Sequence, residues 1–277
     1  MKGTVIMKNT IGFRDTSREK ENEEVISSEP ARAEKKEPVC CVAKIKFSGA
    51  NIPLSYYNDE FYLEPGDKVF VTGKFYGQLG FVESVTTHFR IDKSKYKKVI
   101  GKPDRHIDGK FINIIDKMVS FDTSFDADRF GAIMIPPRDP DSDEEEEIIC
   151  GEGWSVDLEC FEESDIVDRD LIKPALDCCR DGKVLYLSVK DGKGAAYIKG
   201  RKIYKIDFSF DGETVSDLYC SCFFGDDCLC KHETAALITL RMLSRRPEFD
   251  GRKNFVAIDS DFFWNYISEE SKEISLK

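Results

Sequence analysis

Polar and apolar residues alternate with a period close to two over much of this chain, in two stretches set apart by a proline-rich, acidic break. In the first stretch, residues 42–47, 60–63, 68–72 and 80–85 read as short strands, because successive strand side chains point to opposite faces. Glu64-Pro65-Gly66-Asp67 separates two of them as a turn, with proline fixing φ and glycine free to take a positive φ. Short strands joined by tight turns predict a small, strongly bent sheet or barrel. Phe111-Ile112-Asn113-Ile114-Ile115 and residues 131–135 read as further core strands that close this domain just before the break.

The second stretch alternates more clearly, over 184–189, 194–199 and 202–208, with turns at Lys190-Asp191-Gly192-Lys193-Gly194 and Asp211-Gly212. An antiparallel meander is expected, extended by a strand over 215–222. Residues 233–245 then predict a helix, because Ala236, Leu240 and Leu243 recur at spacings of four and three on the side that His232 also occupies. Asp259-Ser260-Asp261 is placed to cap a last helical segment, in which Phe263 and Tyr266 pack against the sheet. The expected class is α+β: an N-terminal small β-barrel-like domain, an acidic linker, and a C-terminal antiparallel sheet with a packed helix.

Composition sharpens the boundaries. Residues 1–37 are dominated by Glu, Lys, Arg, Ser and Asn and carry too little apolar surface to offset the entropy of ordering, so a disordered tail is expected. Pro136-Pro137-Arg138-Asp139-Pro140 runs into Asp141-Ser142-Asp143-Glu144-Glu145-Glu146-Glu147, where prolines and self-repelling charge mark a solvated linker over 136–147. The chain thus divides into a tail (1–37), a β-rich domain (38–135), the linker (136–147) and a second domain (148–277). A net charge of −11 argues against coating nucleic acid or an anionic membrane through bulk charge, so such binding must be local. No run approaches the roughly 18 apolar residues that span a bilayer, and no secretory leader is visible, so an intracellular protein with no membrane association is expected. The ten cysteines are then expected as reduced thiols, and the pairs Cys40-Cys41 and Cys178-Cys179 as small buried hydrophobes.

One local basic cluster stands out: Arg90, Lys93, Lys95, Lys97 and Lys98 around Tyr96, followed by Lys102 and Arg105. Lysines are the ordinary covering of a surface, but this cluster is also a candidate phosphate-contacting face. Lys199, Arg201, Lys202 and Lys205 could add to it from the second sheet.

The sharpest chemical signal is Cys220-Ser221-Cys222, a spacer of seven residues, and Cys230-Lys231-His232. Zinc takes four Cys or His donors in a tetrahedron, and two short pairs carried on separate elements supply them. The first pair lies near a strand end and the second at a helix N-terminus, where the dipole favours thiolate. Cys228 makes a second Cys-x-Cys, so Cys220, Cys222, Cys228 and Cys230 form an alternative set that leaves His232 free. With all four positions filled by protein, the zinc would be structural.

Around these residues the chain resembles SWIM-type zinc fingers, whose pattern is Cys-x-Cys, a variable spacer and Cys-x-His. The likeness takes in Lys231-His232-Glu233-Thr234-Ala235-Ala236-Leu237 and the strands from Gly182-Lys183-Val184-Leu185 to Ile203-Tyr204-Lys205-Ile206, so it covers about 181–246. It implies Zn²⁺ on Cys220, Cys222, Cys230 and His232, and a module that binds DNA or protein partners, often as an accessory of helicases, transposases and recombination factors. More weakly, Leu63-Glu64-Pro65-Gly66-Asp67-Lys68-Val69-Phe70-Val71 and Gly77-Gln78-Leu79-Gly80-Phe81-Val82 are similar to SH3-like small barrels, including those of PSP1-type proteins and of replication-restart helicases.

No Gly-x-x-x-x-Gly-Lys-Ser/Thr is present, so a P-loop ATPase is not encoded here. His88 and His106 have no nameable nucleophilic partner, and Asp122, Asp126, Asp128, Asp259 and Asp261 read as caps and loop residues more readily than as a Mg²⁺ site. No enzyme and no small-molecule substrate is expected. Two readings remain. In one, a nucleic-acid-associated adaptor contacts phosphates through Lys93, Lys95, Lys97, Lys98, Lys102, Lys199, Arg201 and Lys202. In the other, a protein-interaction subunit docks on a larger enzyme such as a helicase without touching nucleic acid. On either reading the helix is expected to present Arg241, Arg245 and Arg246 on the surface.

Overall fold

The computed structural model describes residues 37–90, 92–106, 111–115, 117–121, 126–140, 154–222, 227–249 and 254–266. The tail expected over 1–37, apart from Glu37, and the acidic run from Asp141 to Glu147 lie outside these residues. In the first stretch, strands β1 (Cys41–Lys46), β2 (Leu54–Asn58), β3 (Lys68–Val71), β4 (Gly80–Thr86) and β5 (Val99–Gly101) form a sheet in the order β2-β1-β4-β3-β5. A parallel bridge between Tyr57 and Lys98 joins its two edges, with the Tyr57 N–H donating to the Lys97 carbonyl over 2.9 Å. The sheet therefore closes on itself as a small barrel. A register shift at Lys44/Ile45 adds the bend that closure needs. Cys41, Ala43 and Ile45 point inward and meet Phe47, Tyr56, Val69 and Val82, while Lys44 and Lys46 stay outside.

The strand expected over 60–63 is a loop, and Leu54–Asn58 forms the strand instead. The buried Asn58 side chain explains the change. Its Nδ2 donates to the Phe61 carbonyl (2.7 Å) and its Oδ1 accepts from the Phe61 N–H (3.1 Å), taking up backbone groups that a ladder would use.

The second sheet has eight strands: β6 (Phe111–Ile115), β7 (Met118–Phe121), β8 (Trp154–Asp157), β9 (Val184–Lys190), β10 (Lys193–Lys199), β11 (Ile203–Phe210), β12 (Thr214–Cys220) and β13 (Phe255–Asp259). Their order is β6-β7-β13-β9-β10-β11-β12-β8. The turn expected over 190–194 forms and takes only two residues between β9 and β10, with φ of 51° at Asp191 and 78° at Gly192, as a hairpin with both central residues left-handed requires. Phe111–Ile115, expected to complete the barrel, is an edge strand of this larger sheet. Residues 131–134, expected as strand, belong to helix α1 (Ala127–Met134). Asp126 starts that helix by accepting the Arg129 N–H over 2.9 Å, and the spacing of Phe130 and Ile133 buries both on one side. The span 38–135 thus supplies both the barrel and part of the larger sheet.

Helices cover both faces of that sheet. Helix α2 (Arg169–Arg180) and helix α3 (Lys231–Ser244) pack together on one face, where Ala236, Leu237 and Leu240 of α3 meet Leu187, Ala196 and Ile206. On the other, α1 and α4 (Ser260–Tyr266) lie over Tyr186, Tyr197 and Val256 through Phe130, Phe262 and Phe263. Burial on both faces accounts for a β10 interior with no polar side, Gly-Ala-Ala-Tyr-Ile. Phe263 is buried as expected, and Tyr266 stacks on Phe262 at 4.7 Å. The class is α+β. Among the described residues, no helix is long and apolar enough to cross a membrane.

Candidate metal centre

Strand β12 ends at Cys220, and the two residues beyond it bend instead of continuing the ladder. Ser221 fixes the bend from both sides: its N–H donates to the Lys205 carbonyl, and its hydroxyl accepts the Lys205 N–H, each over 2.9 Å. Cys222 is thereby brought back toward Cys220. The second pair is set by the start of α3. Cys230 is the N-cap: its Sγ accepts the Glu233 N–H (3.4 Å), and the Glu233 carboxylate accepts the Cys230 N–H (2.7 Å). This reciprocal capping fixes the first turn and places His232 on the buried side.

The Cys220, Cys222 and Cys230 sulfurs and one His232 nitrogen all lie within 4.8 Å of one another. Cys230 Sγ is 3.8 Å from His232 Nδ1. A tetrahedral zinc with bonds of about 2.3 Å to sulfur and about 2.0 Å to nitrogen separates its donors by roughly 3.5–3.8 Å, so the spacing fits. The electrostatics fit as well. Hydrogen bonds from Cys220, then Cys230, push the Cys222 thiol well below the usual thiol range, while the same crowding pushes Cys220 and Cys230 up. Three crowded sulfurs can lose their protons together only when a cation compensates the charge. The ring of His232 is buried, Nε2 has no hydrogen-bond partner, and Nδ1 faces the sulfurs. A cation among the sulfurs would take Nδ1 as its nitrogen donor, while Nε2 lies on the far side of the ring against Gly200. The cluster is a Cys3His site suited to a metal ion, and its donor chemistry suits zinc.

Two neighbours hold the histidine. Tyr204 stacks on its ring at 4.4 Å with the planes 27° apart, and Gly200 lies so close that a Cβ there would fall 3.1 Å from Nε2 and 2.7 Å from the Tyr204 ring. Neither Tyr204 nor Glu233 was identifiable as a support from spacing, although Glu233 stands three residues after its cap, the signature of a capping box. Cys228 is outside the cluster, so the fourth donor is His232.

The basic candidates separate into two kinds. In the barrel cluster, Lys93 and Lys98 sit over the Tyr57 ring, Lys98 pairs with Asp59 (3.5 Å) and Lys95 with Asp92 (3.6 Å). Lys97 packs along Gly73, and Lys102 is tied to Asp67 and the Tyr62 carbonyl, both at 2.8 Å. Lys199, Arg201 and Lys202 are exposed at the β10–β11 turn and make no ion pair among the described residues, whereas Lys205 pairs with Asp207 at 3.0 Å. Of the arginines expected on the surface, Arg245 is exposed, whereas Arg241 and Arg246 are half-buried. Arg241 grips Glu162 with two nitrogens and lies over Phe161, Arg245 pairs with Glu159, and Arg246 donates to the Ile114 carbonyl. Asp126 and Asp259 are helix caps, with the Asp259 carboxyl pushed up by burial; Asp122 lies outside the described residues. His88 contacts Thr87 on the surface, and the His106 carbonyl receives Arg129.

In comparisons with known proteins, no family model, no curated protein and no solved structure matches this chain.

Proposed function

We propose that this chain is a non-catalytic zinc-binding adaptor that associates with nucleic acid, with a structural finger of the SWIM type. The observation that carries the reading is the closed donor set: Cys220, Cys222, Cys230 and His232 supply four protein ligands, leaving a tetrahedral ion no open position for water or substrate. Such an ion stabilises. It would pin the start of α3 to the end of β12 and, through His232, set the position of the adjoining β10–β11 turn. Lys199, Arg201 and Lys202 on that turn supply the positive charge for phosphate contacts, and the barrel, similar in pattern to SH3-like barrels, offers a second module.

The net charge of −11 and the exposed Leu176 and Met242 on α2 and α3 favour the second reading, docking on a larger protein. One experiment separates the two. Labelled DNA and RNA oligonucleotides are titrated with purified protein at several salt concentrations, with zinc content determined on the same sample. The adaptor reading expects about one zinc per chain and an affinity that falls with salt at about 0.7–0.9 log units per neutralised phosphate. Zinc without any binding at low salt would leave the protein-docking reading.

A further inference from the structure

The structure has a cleft that neither the sequence pattern nor the metal site accounts for. It lies between the barrel and the larger sheet, with a volume of about 1870 Å³. Small-molecule pockets run to about 1,000 Å³, so the space suits an extended ligand. Tyr76 and Leu79 line it from the barrel; Lys199, Arg201 and Lys202 line it from the sheet. Acidic side chains also reach it: Asp139 and the exposed Asp261, Asp259, which is buried and caps α4, and Asp181, which has Lys183 as its ion-pair partner at 3.0 Å. The three cations of the β10–β11 turn have no such partner among the described residues.

We propose that this cleft is the track for a single strand of nucleic acid, resting on the nucleic-acid reading above and assigning it to a site and a strandedness. Three observations converge. First, Lys199, Arg201 and Lys202 have no carboxylate partner among the described residues, although Lys202 lies over the Tyr204 ring, whereas Lys95, Lys98 and Lys102 of the barrel cluster do. Second, partly exposed aromatic rings stand along the same cleft. Tyr76 is 41% exposed with its hydroxyl anchored on the Pro137 carbonyl, and Tyr219 projects from β12. An aromatic ring in a cationic groove stacks on unpaired bases, whereas reading a duplex requires a helix or ribbon that protrudes into a groove of the DNA. Tyr266 is already covered by Phe262 and Lys68, so the stacking falls first to Tyr76.

Third, the cleft is built onto the metal site. Cys222 lines it, and the backbone of its basic turn rests on His232 at Gly200. Zinc occupancy therefore sets the position of the three cations, and strand binding is metal-dependent although the metal touches no nucleotide.

The test is fluorescence anisotropy of a labelled single-stranded oligonucleotide and of its duplex across a salt series. It uses the zinc-loaded full chain, a Lys199→Ala/Arg201→Ala/Lys202→Ala variant, Tyr76→Ala, and a Lys93→Ala/Lys95→Ala/Lys98→Ala control. The substituted lysines and arginine are surface residues, and zinc content with thermal melting verifies folding. The proposal expects single strand to bind at least about tenfold tighter than duplex. The cleft triple variant should lower the log–log salt slope by about 2. Tyr76→Ala should weaken binding by about tenfold with the slope unchanged, and the barrel triple variant should bind as the parent does. Binding that survives the cleft variant but fails in the barrel variant overturns the track while leaving the nucleic-acid reading intact, and a preference for duplex overturns the strandedness. Absence of binding to either probe at low salt removes the reading on which both rest.

Discussion

The barrel and the finger end of the larger sheet meet the problem of stability in different ways. The barrel closes its own edges through the Tyr57–Lys98 bridge and fills its interior with apolar side chains such as Ile45, Val69 and Val82. Nothing buried there calls for a ligand. The finger end buries two cysteine donors and an imidazole, beside a third, half-buried cysteine, where a core would hold aliphatic groups. Close-packed hydrophobic surface stabilises without conditions, whereas a knot of ionisable donors stabilises only when a cation is present. The molecule therefore combines an unconditional module with a conditional one, and the basic turn over Gly200 belongs to the conditional one.

The largest effect that would sharpen this contrast comes from Cys230→Ala, which removes both a donor and the N-cap of α3. Zinc content should fall from about one per chain to near zero, and the melting transition of the sheet domain should drop by on the order of 10 °C. The barrel should retain its hydrogen-exchange protection; joint unfolding of both would break the comparison. Gly200→Ala comes next. The added Cβ presses on Tyr204 and His232, so zinc affinity measured against a competing chelator should weaken by about tenfold, with the barrel unchanged.

Glu162→Gln should be milder. It breaks the two-nitrogen grip of Arg241 that ties α3 to the 3-10 turn Phe161–Glu163, at a cost of about 1 kcal/mol for a partly exposed pair. Hydrogen bonding from Arg241 holds this carboxyl below its ordinary value of 4.5, so its contribution is fully present above pH 4.5 and is lost as the pH falls below it. Urea titrations at pH 7 and pH 3.5 should therefore show a gap between parent and variant at the first pH that narrows at the second. The smallest effect is expected from Cys228→Ser. This thiol lies outside the cluster, so zinc stoichiometry and affinity should not change; a loss of zinc would favour the all-cysteine set and release His232.

How legible each region was in the sequence follows from the same contrast. The donors were legible because they come in two short pairs of uncommon residue types, and local spacing decides which side chains a strand end and a first helical turn can bring together. The β9–β10 hairpin was legible because Asp191-Gly192 states its turn chemistry directly. Helix α2 was not, since Pro174 sits inside it and Asp170 and Asp177 dilute its apolar stripe. The affiliation of Phe111–Ile115 was hidden for another reason. Its alternation predicts a strand but cannot say which sheet receives it, and the answer rests on pairing with β7 and, through it, with β13, more than 130 residues later. The half-burial of Arg241 and Arg246 was hidden because their partners, Glu162 and the Ile114 carbonyl, are distant in sequence. The cleft is assembled wholly from such distant segments, so no window of sequence could display it.

The most direct test is to determine metal content on freshly purified protein and then follow amide hydrogen exchange before and after chelation. The account predicts about one zinc per chain, with chelation raising exchange in the first turns of α3 and at the β10–β11 turn while β1, β3 and β4 stay protected. Folded protein without zinc, or exchange at α3 that chelation leaves unchanged, would contradict it.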